Sequence, residues 1–136
     1  MAKEAGLAIT TLSVDDSAGV VRAIINDILS FNFTTPREEQ DVTGVDKSAR
    51  ERLLLLADFS IDLTMGFNDA VAPSSHTTFR TVPSSSVART VSINISGQTL
   101  PNEVFFTDYR FIRGADGSLT TEAPGVLSDG TVPTWA

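Results

Sequence analysis

The sequence predicts a mainly β fold, a sandwich or barrel of about seven strands with one short flanking α-helix and a second helical turn. Two stretches, 57–67 and 87–96, alternate apolar and polar residues with a period of two. This period is typical of strands that bury one face and expose the other. Elsewhere, short apolar runs are separated by Gly, Pro, Asn and Asp, residues that favour turns. Together these patterns indicate many short strands.

Length and charge limit the classes of protein that the chain can form. Its 136 residues suffice for a single domain, 1–136, with a core that buries roughly two-thirds of the unfolded surface. The net charge is −7 and the basic residues are scattered. This argues against a nucleic-acid reader, because tight phosphate binding needs several Lys or Arg on one surface. An acidic wall past which nucleic acid slides is compatible with the same charge.

The absence of particular residues excludes further classes. There is no Cys, so disulfides, thiolate metal sites and cysteine nucleophiles are excluded. The longest aliphatic run, 53–57, is far shorter than the ~18 residues of a membrane span. We therefore expect no membrane contact and synthesis in the cytoplasm.

The first third of the chain suggests a strand, a hairpin and a loop. Residues 7–14 predict a first strand. The runs 19–25 and 28–34, separated by Asn26-Asp27, predict a β-hairpin, with a helix over 20–31 as the alternative. The polar segment 36–41 is expected to be a mobile loop.

A short charged helix or turn, which ends in apolar residues, is predicted next, over 46–56. Ser48 and Glu51 have the spacing of a capping box. The central strand 57–67 follows, and its apolar face is predicted to carry Phe59, Ile61, Leu63, Met65 and Phe67. A helix over 74–81 is expected to begin near Pro73 and to pack through Phe79.

The last third predicts three more strands. The first, 87–96, is half-buried. The second, 103–113, has apolar residues on both faces, which indicates burial on both faces and a contact with another subunit. Phe105, Tyr109 and Phe111 are the candidates for that contact. A turn at 115–117 leads into a strand over 118–123.

No set of side chains has the spacing of a catalytic or metal site. His76 is the only histidine, has no orienting carboxylate near it in sequence, and is expected at the surface or in a helix cap. Asp58 and Asp62 would lie ~13 Å apart on a strand, beyond the ~5 to 9.5 Å of paired glycosidase carboxylates. The acidic pairs lack calcium-loop spacing, and the glycines do not form a phosphate loop. We therefore expect no enzymatic activity and no cofactor or metal.

Several segments, taken in order, resemble the major tail (tail tube) proteins of tailed bacteriophages. The first is Asp-Val-Thr-Gly at 41–44, followed by the Ser-Ala-Arg-Glu-Arg-Leu run that leads into Asp-Phe-Ser-Ile-Asp-Leu-Thr at 58–64. The later segments are 75–80, 89–95, 103–109, 117–120 and 124–135. The resemblance covers roughly residues 7–135.

The resemblance implies a β-sandwich with a flanking helix and no active site. Six copies would form a ring, and rings would stack into a hollow tube through which genome DNA leaves the capsid. Each subunit would lend strands to a barrel around the lumen, and a loop within 33–45 would reach the neighbouring ring. The residues expected in that loop are Pro36, Arg37, Glu38, Glu39, Gln40 and Asp41.

The resemblance also implies an acidic lumen, which repels DNA phosphates and prevents trapping. Two polar strand faces are candidates for the lining. One carries Asp58, Ser60 and Asp62, and the other carries Thr90, Ser92 and Asn94. The implied location is the virion, after synthesis in the host cytoplasm, with tape-measure and tail-tip proteins as further partners. The alternative is a β-sandwich module that binds carbohydrate or a host surface, although most aromatic residues fall at core-like positions and only Trp135 does not.

Overall fold

The computed structural model describes residues 3–71 and 74–136 and confirms a mainly β fold. One short helix, α1, spans Ser75–Phe79, and 3₁₀ turns span Gly6–Ala8 and Ile25–Asp27. The strands in this part of the chain are β1 (Ile9–Asp15), β2 (Val21–Ala23), β3 (Ile28–Thr34), β4 (Arg37–Asp41), β5 (Arg52–Ala57), β6 (Ser60–Gly66), β7 (Arg89–Ile95), β8 (Gln98–Phe106), β9 (Arg110–Arg113) and β10 (Leu119–Leu127).

Eight of these strands form one antiparallel sheet in the order β2-β1-β7-β8-β10-β6-β3, with β9 also paired to β10. Strands β4 and β5 form a separate two-stranded ribbon. The link between β8 and β10 is only three residue pairs long, from Gly125–Phe106 to Leu127–Val104. The sheet therefore divides into a β1 half (β2-β1-β7-β8) and a β6 half (β9-β10-β6-β3).

The two halves pack their inner faces against each other. Alternate side chains of each half point into one core, as the period-two patterns predict. The core residues of the β1 half are Leu12, Val14, Val91, Ile93, Leu100 and Val104. Those of the β6 half are Ile61, Leu63, Met65 and Ala123, with Phe59 just before β6. Because the halves enclose this core between them, their polar outer faces point in opposite directions.

Helix α1 packs against the core through Phe79, as the sequence predicts, and is shorter than the predicted 74–81. The Ser74 hydroxyl accepts a hydrogen bond from the Thr77 N–H, and the Asp27 carboxylate accepts one from the Ser75 N–H at 2.8 Å. Phe79 is buried with its ring centroid 4.9 Å from that of Phe106. The predicted helix start at Pro73 lies outside the described residues.

Arg89 is fully buried on β7, and its hydrogen bonds connect the end of α1 to the sheet. Its guanidinium donates to the carbonyl oxygens of Thr78 and Asp15, and to the Thr81 hydroxyl at 2.8 Å. Burial lowers the pKa of Arg89, and the nearby charges of Asp16 and Asp15 partly oppose this shift. The buried cation is thus held by neutral oxygens.

The predicted hairpin of 19–25 with 28–34 is wrong, and so is its helical alternative over 20–31. Strand β2 pairs with β1, and β3 pairs with β6. Between them Ile25–Asp27 forms a 3₁₀ turn. The Asp27 carboxylate is engaged by the Asn68 amide and the Ser75 N–H, so contacts distant in sequence fix this turn.

The helix predicted as one possibility over 46–56 is wrong: the beginning of this segment forms a turn and a bend, and strand β5 begins at Arg52. The loop predicted over 36–41 is also wrong, because strand β4 begins at Arg37. Residues of both segments form the β4–β5 ribbon, with Arg37 opposite Ala57 and Asp41 opposite Arg52. The Arg37 guanidinium donates two hydrogen bonds to the Leu55 carbonyl, at 3.0 and 2.8 Å. A short run of leucines is compatible with helix or strand, and strand pairing decides between them here.

The predicted single strand over 103–113 is interrupted between β8 and β9. The Thr107 N–H donates to the Pro124 carbonyl, and the interruption shifts the alternation by one residue. Phe105 lies opposite Val126 on the outer face, whereas Phe111 lies opposite Thr121 on the inner face. Tyr109 is only 8% exposed and belongs to the core. The three residues predicted to share one intersubunit face therefore do not share it. The last strand, predicted over 118–123, extends to Leu127.

Candidate assembly surfaces

The β6 half has an unpaired edge on each side within the described residues. Strand β3 pairs only with β6, and β9 pairs only with β10. All pairings in the half are antiparallel, so strand directions alternate across β9, β10, β6 and β3. The two edge strands therefore run in opposite directions. An unpaired edge presents backbone N–H and C=O groups to another chain.

The outer face of the β6 half is polar and acidic. It contains a groove of about 420 Å³ whose charged lining residues are Asp62, Asp108, Arg110 and Glu122. Arg110 forms an ion pair with Glu122 across β9 and β10. The hydrogen bond and charge of Glu122, with smaller effects of Asp108 and Asp62, raise the pKa of Arg110. Three carboxylates thus surround a single cation.

Of the three residues predicted to form one polar face, Ser60 and Asp62 lie on strand β6 and Asp58 does not. Ser60 and Asp62 lie on the outer face of β6, and the Ser60 hydroxyl is 2.9 Å from the Thr34 hydroxyl on β3. Asp58 precedes the strand, and its carboxylate accepts the N–H of Phe59 at 2.8 Å. It lies where the ribbon joins the sheet.

The other predicted face, that of Thr90, Ser92 and Asn94, lies on β7 in the β1 half. Asn94 accepts a hydrogen bond from the Thr10 hydroxyl at 3.0 Å and donates one to Thr99 at 3.1 Å. Thr90 donates to the Glu103 carboxylate. Because the two halves face away from each other, these two candidate linings lie on opposite sides of the subunit, and only one of them can line a channel.

The β4–β5 ribbon exposes an apolar strand beside a charged one. Leu53, Leu54, Leu55 and Leu56 are between 40% and 75% exposed. Strand β4 carries Arg37, Glu38, Glu39, Gln40 and Asp41, and all five are exposed. At the tip, Asp41 accepts hydrogen bonds from the Thr43 N–H and hydroxyl and pairs with Arg50. Consecutive exposed leucines on both faces of a strand are typical of an interaction surface.

An aromatic cluster lies beside β9 on the core side. It consists of Phe67, His76 and Phe111, with Phe67 4.9 Å from His76 and 5.7 Å from Phe111 between ring centroids. His76 Nδ1 is 3.1 Å from the Tyr109 hydroxyl, and burial raises the pKa of Tyr109. His76 is therefore half-buried in an aromatic environment, rather than at the surface.

An apolar groove lies at the opposite side of the same half, beside the start of β3. It has a volume of about 300 Å³ and is lined by Ile9, Ile25, Ile28, Leu29 and Phe31, among others. None of its lining residues in the described part of the chain is charged. Leu29 is 63% exposed.

Sequence reasoning missed the ribbon and the groove for different reasons. The signal for the ribbon was the four-leucine run, which could have been interpreted as a strand with both faces covered. The groove joins residues of β1, the 3₁₀ turn and β3, so no local pattern marks it.

Among the described residues, no three His, Asp or Glu side chains are placed to hold a metal ion. None of the described helices has the length and hydrophobicity needed to cross a bilayer.

No protein-family model and no curated protein matches the sequence. The fold nevertheless recurs in solved structures. A chain of a "Virion of native gene transfer agent (GTA) particle" has a TM-score of 0.73 at 15% identity, covering 97% of this chain and 99% of that chain. A chain of a "Tail of empty GTA particle computed with helical refinement, C6 symmetry" gives 0.69 at 17% identity, covering 98% of each chain.

A third structure with this fold is a "Cryo-EM structure of the anti-feeding prophage (AFP) baseplate, 6-fold symmetrised". One of its chains has a TM-score of 0.64 at 12% identity, covering 100% of this chain and 97% of that chain. At these identities the likeness shows a common fold over almost the entire length of each chain.

Proposed function

We propose that this chain is a structural subunit of a phage-like tail, in which six copies close into a ring and rings stack into a hollow tube for the passage of DNA. The observation that carries the proposal is the four-stranded β6 half with a free edge on each side. The shared fold with chains from assembled tail particles, one described with C6 symmetry and one as 6-fold symmetrised, supports it.

Ring closure follows from the directions of the two edges. Strands β9 and β3 are antiparallel to each other, so β9 of one copy placed beside β3 of the next continues the same pairing. Six copies would close the β6 halves into a barrel in which the β9 and β3 edges of every copy are paired. The contact joins two different surfaces, as a head-to-tail ring requires.

The lumen in this arrangement is lined by the outer face of the β6 half. The β1 half covers the other face, so it stands outside the barrel. Ser60 and Asp62 then face the axis, together with Asp108, Glu122 and the neutralised Arg110. Net negative charge repels DNA phosphates and keeps transit free of binding. Thr90, Ser92 and Asn94 lie on the outside of the tube.

The ribbon is assigned to the contact between rings. It continues β3 and β6 beyond the sheet, and its leucines have no cover among the described residues. Fully burying a leucine side chain contributes about 1.5–3 kcal/mol, so four leucines supply a substantial part of a stacking contact. The charged residues at 36–41 lie on the other strand of the ribbon, where they would fix its position against the neighbouring ring.

The proposal involves no catalytic step and no cofactor. The protein is made in the host cytoplasm and functions in the virion. A tape-measure protein in the lumen and tail-tip proteins at the end of the tube are its further partners. The chain would thus form the wall of the tube. It would do so by closing into rings, stacking the rings and repelling DNA phosphates from the lumen.

Electron microscopy and size-exclusion chromatography of the purified protein test the proposal. We expect six-membered rings, or tubes of stacked rings, whose abundance rises with protein concentration. A monomer that persists at high concentration would contradict the proposal. If that monomer also bound a glycan, the binding-module alternative would be supported.

A further inference from the structure

We infer that ring closure is specified by an apolar contact beside the paired edges: the aromatic cluster Phe67–His76–Phe111 of one copy enters the apolar groove beside β3 of the next. The inference rests on the proposed function and deepens it by naming the residues that select the partner. The occupant of the groove is a second copy of this chain.

The aromatic cluster is placed at the β9 edge and on the core side of the sheet. Phe111 lies on the inner face of β9, opposite Thr121, yet remains exposed. Phe67 is in contact with it across β10, at 5.7 Å between ring centroids. Aromatic side chains at this exposure are typical anchors of protein interfaces.

The groove is placed at the β3 edge on the same side. Ile28 and Phe31 pack against the core, and Leu29 is exposed beside them. In the described part of the chain, the lining contributes apolar side chains apart from Ser30 and the side-chain-free Gly6. An uncharged concave surface selects an apolar occupant, because a charged one would lose its hydration without gaining a partner.

The pairing register places the two surfaces at the same level of the sheet. Ile28 lies opposite Met65, Met65 opposite Thr121, and Thr121 opposite Phe111. When β9 pairs with β3 of the next copy so that this row continues across the contact, Phe111 approaches the level of Ile28 from the outside. Both side chains lie on the core side, so the cluster meets the mouth of the groove.

The leucines of the ribbon are the other apolar surface that could fill the groove, from an adjacent ring. The ribbon leaves the sheet at Thr34 and Ser60, the end of β3 opposite to Ile28. A ribbon that reaches an adjacent ring is directed away from the groove of its own ring and meets the next ring at the end that carries the groove. Within one ring, the aromatic cluster is the apolar surface that lies in the same row of the sheet as Ile28.

A cysteine pair, Phe111→Cys with Leu29→Cys, tests the contact because the natural chain has no Cys. Within one chain these positions lie on opposite edges of four strands, ~14 Å apart at ~4.8 Å per strand spacing. A disulfide requires Cα atoms ~4.4–6.8 Å apart, so only neighbouring copies can form it. Phe111→Cys with Ser92→Cys, on the opposite outer face, is the matched control.

Under mild oxidation of assembled protein we expect a ladder of covalent dimers to hexamers for the first pair and none for the control. Rings or tubes without the ladder would overturn the inference and leave the proposed function standing. If Leu55→Cys with Leu29→Cys gave the ladder and Phe111→Cys with Leu29→Cys did not, the inference would also be overturned, and the ribbon would be the occupant of the groove. Absence of any assembly by the natural chain would overturn both.

Single substitutions provide a second route if the cysteine pair does not fold. Phe111→Ser and Leu29→Ser each remove one side of the contact at an exposed position. We expect each to raise the concentration needed for ring formation at least tenfold, with an unchanged circular dichroism spectrum. Ring formation at the natural concentration in both variants would overturn the inference.

Discussion

Ile28 and Phe111 lie in one transverse row of the β6 half, at its two free edges. The row runs from Ile28 through Met65 and Thr121 to Phe111. Each subunit therefore carries the two surfaces of the proposed ring contact at the same level of its sheet.

The exposed leucines of the ribbon are expected to serve assembly and not folding. In Leu54→Ser with Leu56→Ser, one face of β5 becomes polar. Because these side chains are exposed, we expect the free energy of unfolding of the monomer to change by at most about 0.5 kcal/mol. Tubes should be lost while rings persist, as seen by electron microscopy.

Leu63→Ala is the matched control for the ribbon variant, because Leu63 is buried in the core. It should cost about 2–5 kcal/mol of unfolding free energy. Tubes of normal length in the double serine variant would refute the assignment of the ribbon to stacking.

Gly125 is expected to be irreplaceable at the corner where β8 joins β10. A Cβ at this position would lie 2.5 Å from Val104 Cγ1, 3.1 Å from Phe106 and 3.2 Å from Ile61. Gly125→Ala should therefore destabilise the fold by about 1–3 kcal/mol through overpacking, measured by denaturant unfolding. Gly6→Ala, where a Cβ meets nothing within 4 Å, is the control. Equal stability of the two variants would show that the corner is not tightly packed.

Removal of the buried Arg89 guanidinium is expected to loosen the helix from the sheet. Arg89→Met leaves the Thr78 and Asp15 carbonyl oxygens without this donor. An unsatisfied buried polar group costs about 1–3 kcal/mol, so thermal unfolding should occur at a clearly lower temperature. Arg80→Met, at an exposed position after the helix, should have little effect. A stable Arg89→Met variant would mean that packing alone holds the helix.

The turn after β1 is expected to lose stability in acid through Asp16. Burial of Asp16 raises the pKa of its carboxyl group. Hydrogen bonds from the Val20 and Ala18 N–H groups and from the Arg22 guanidinium outweigh the effect of burial, so the pKa lies below its ordinary value of 3.8. The ionised Asp16 carboxylate therefore stabilises the folded state fully above pH 3.8, and this stabilisation is lost as the pH falls through the lower pKa that Asp16 has in the folded state. The stability difference between the natural chain and Asp16→Asn should shrink below pH 3.8 in melting experiments. A difference that is constant with pH would contradict this linkage.

The parts of the fold that depend on local pattern could be predicted from the sequence. The alternation through Ile61, Leu63 and Met65 fixes the buried face of β6, and Ser74 marks the start of α1. Both signals lie within a few residues of the structure that they specify. The same holds for β7, where Val91 and Ile93 are buried.

The parts that depend on distant partners could not be predicted. The leucines at 53–56 are compatible with helix or strand, and pairing with β4 decides. The interruption before Tyr109 changes which face Phe111 occupies, and it is set by contacts with β10 and α1. Both polar faces looked equally suitable as linings because only the sandwich reveals that they point in opposite directions.

Labelling of two single-cysteine variants in assembled tubes shows which half of the subunit lines the lumen. Ser60→Cys lies on the outer face of the β6 half and Ser92→Cys on that of the β1 half, and both positions are partly exposed in the isolated subunit. A maleimide on a large polymer should label both variants as monomers, but only Ser92→Cys in tubes, because the polymer is excluded from the lumen. Equally rapid labelling of Ser60→Cys in tubes would contradict a lumen lined by the β6 half and would place that half on the outside of the tube.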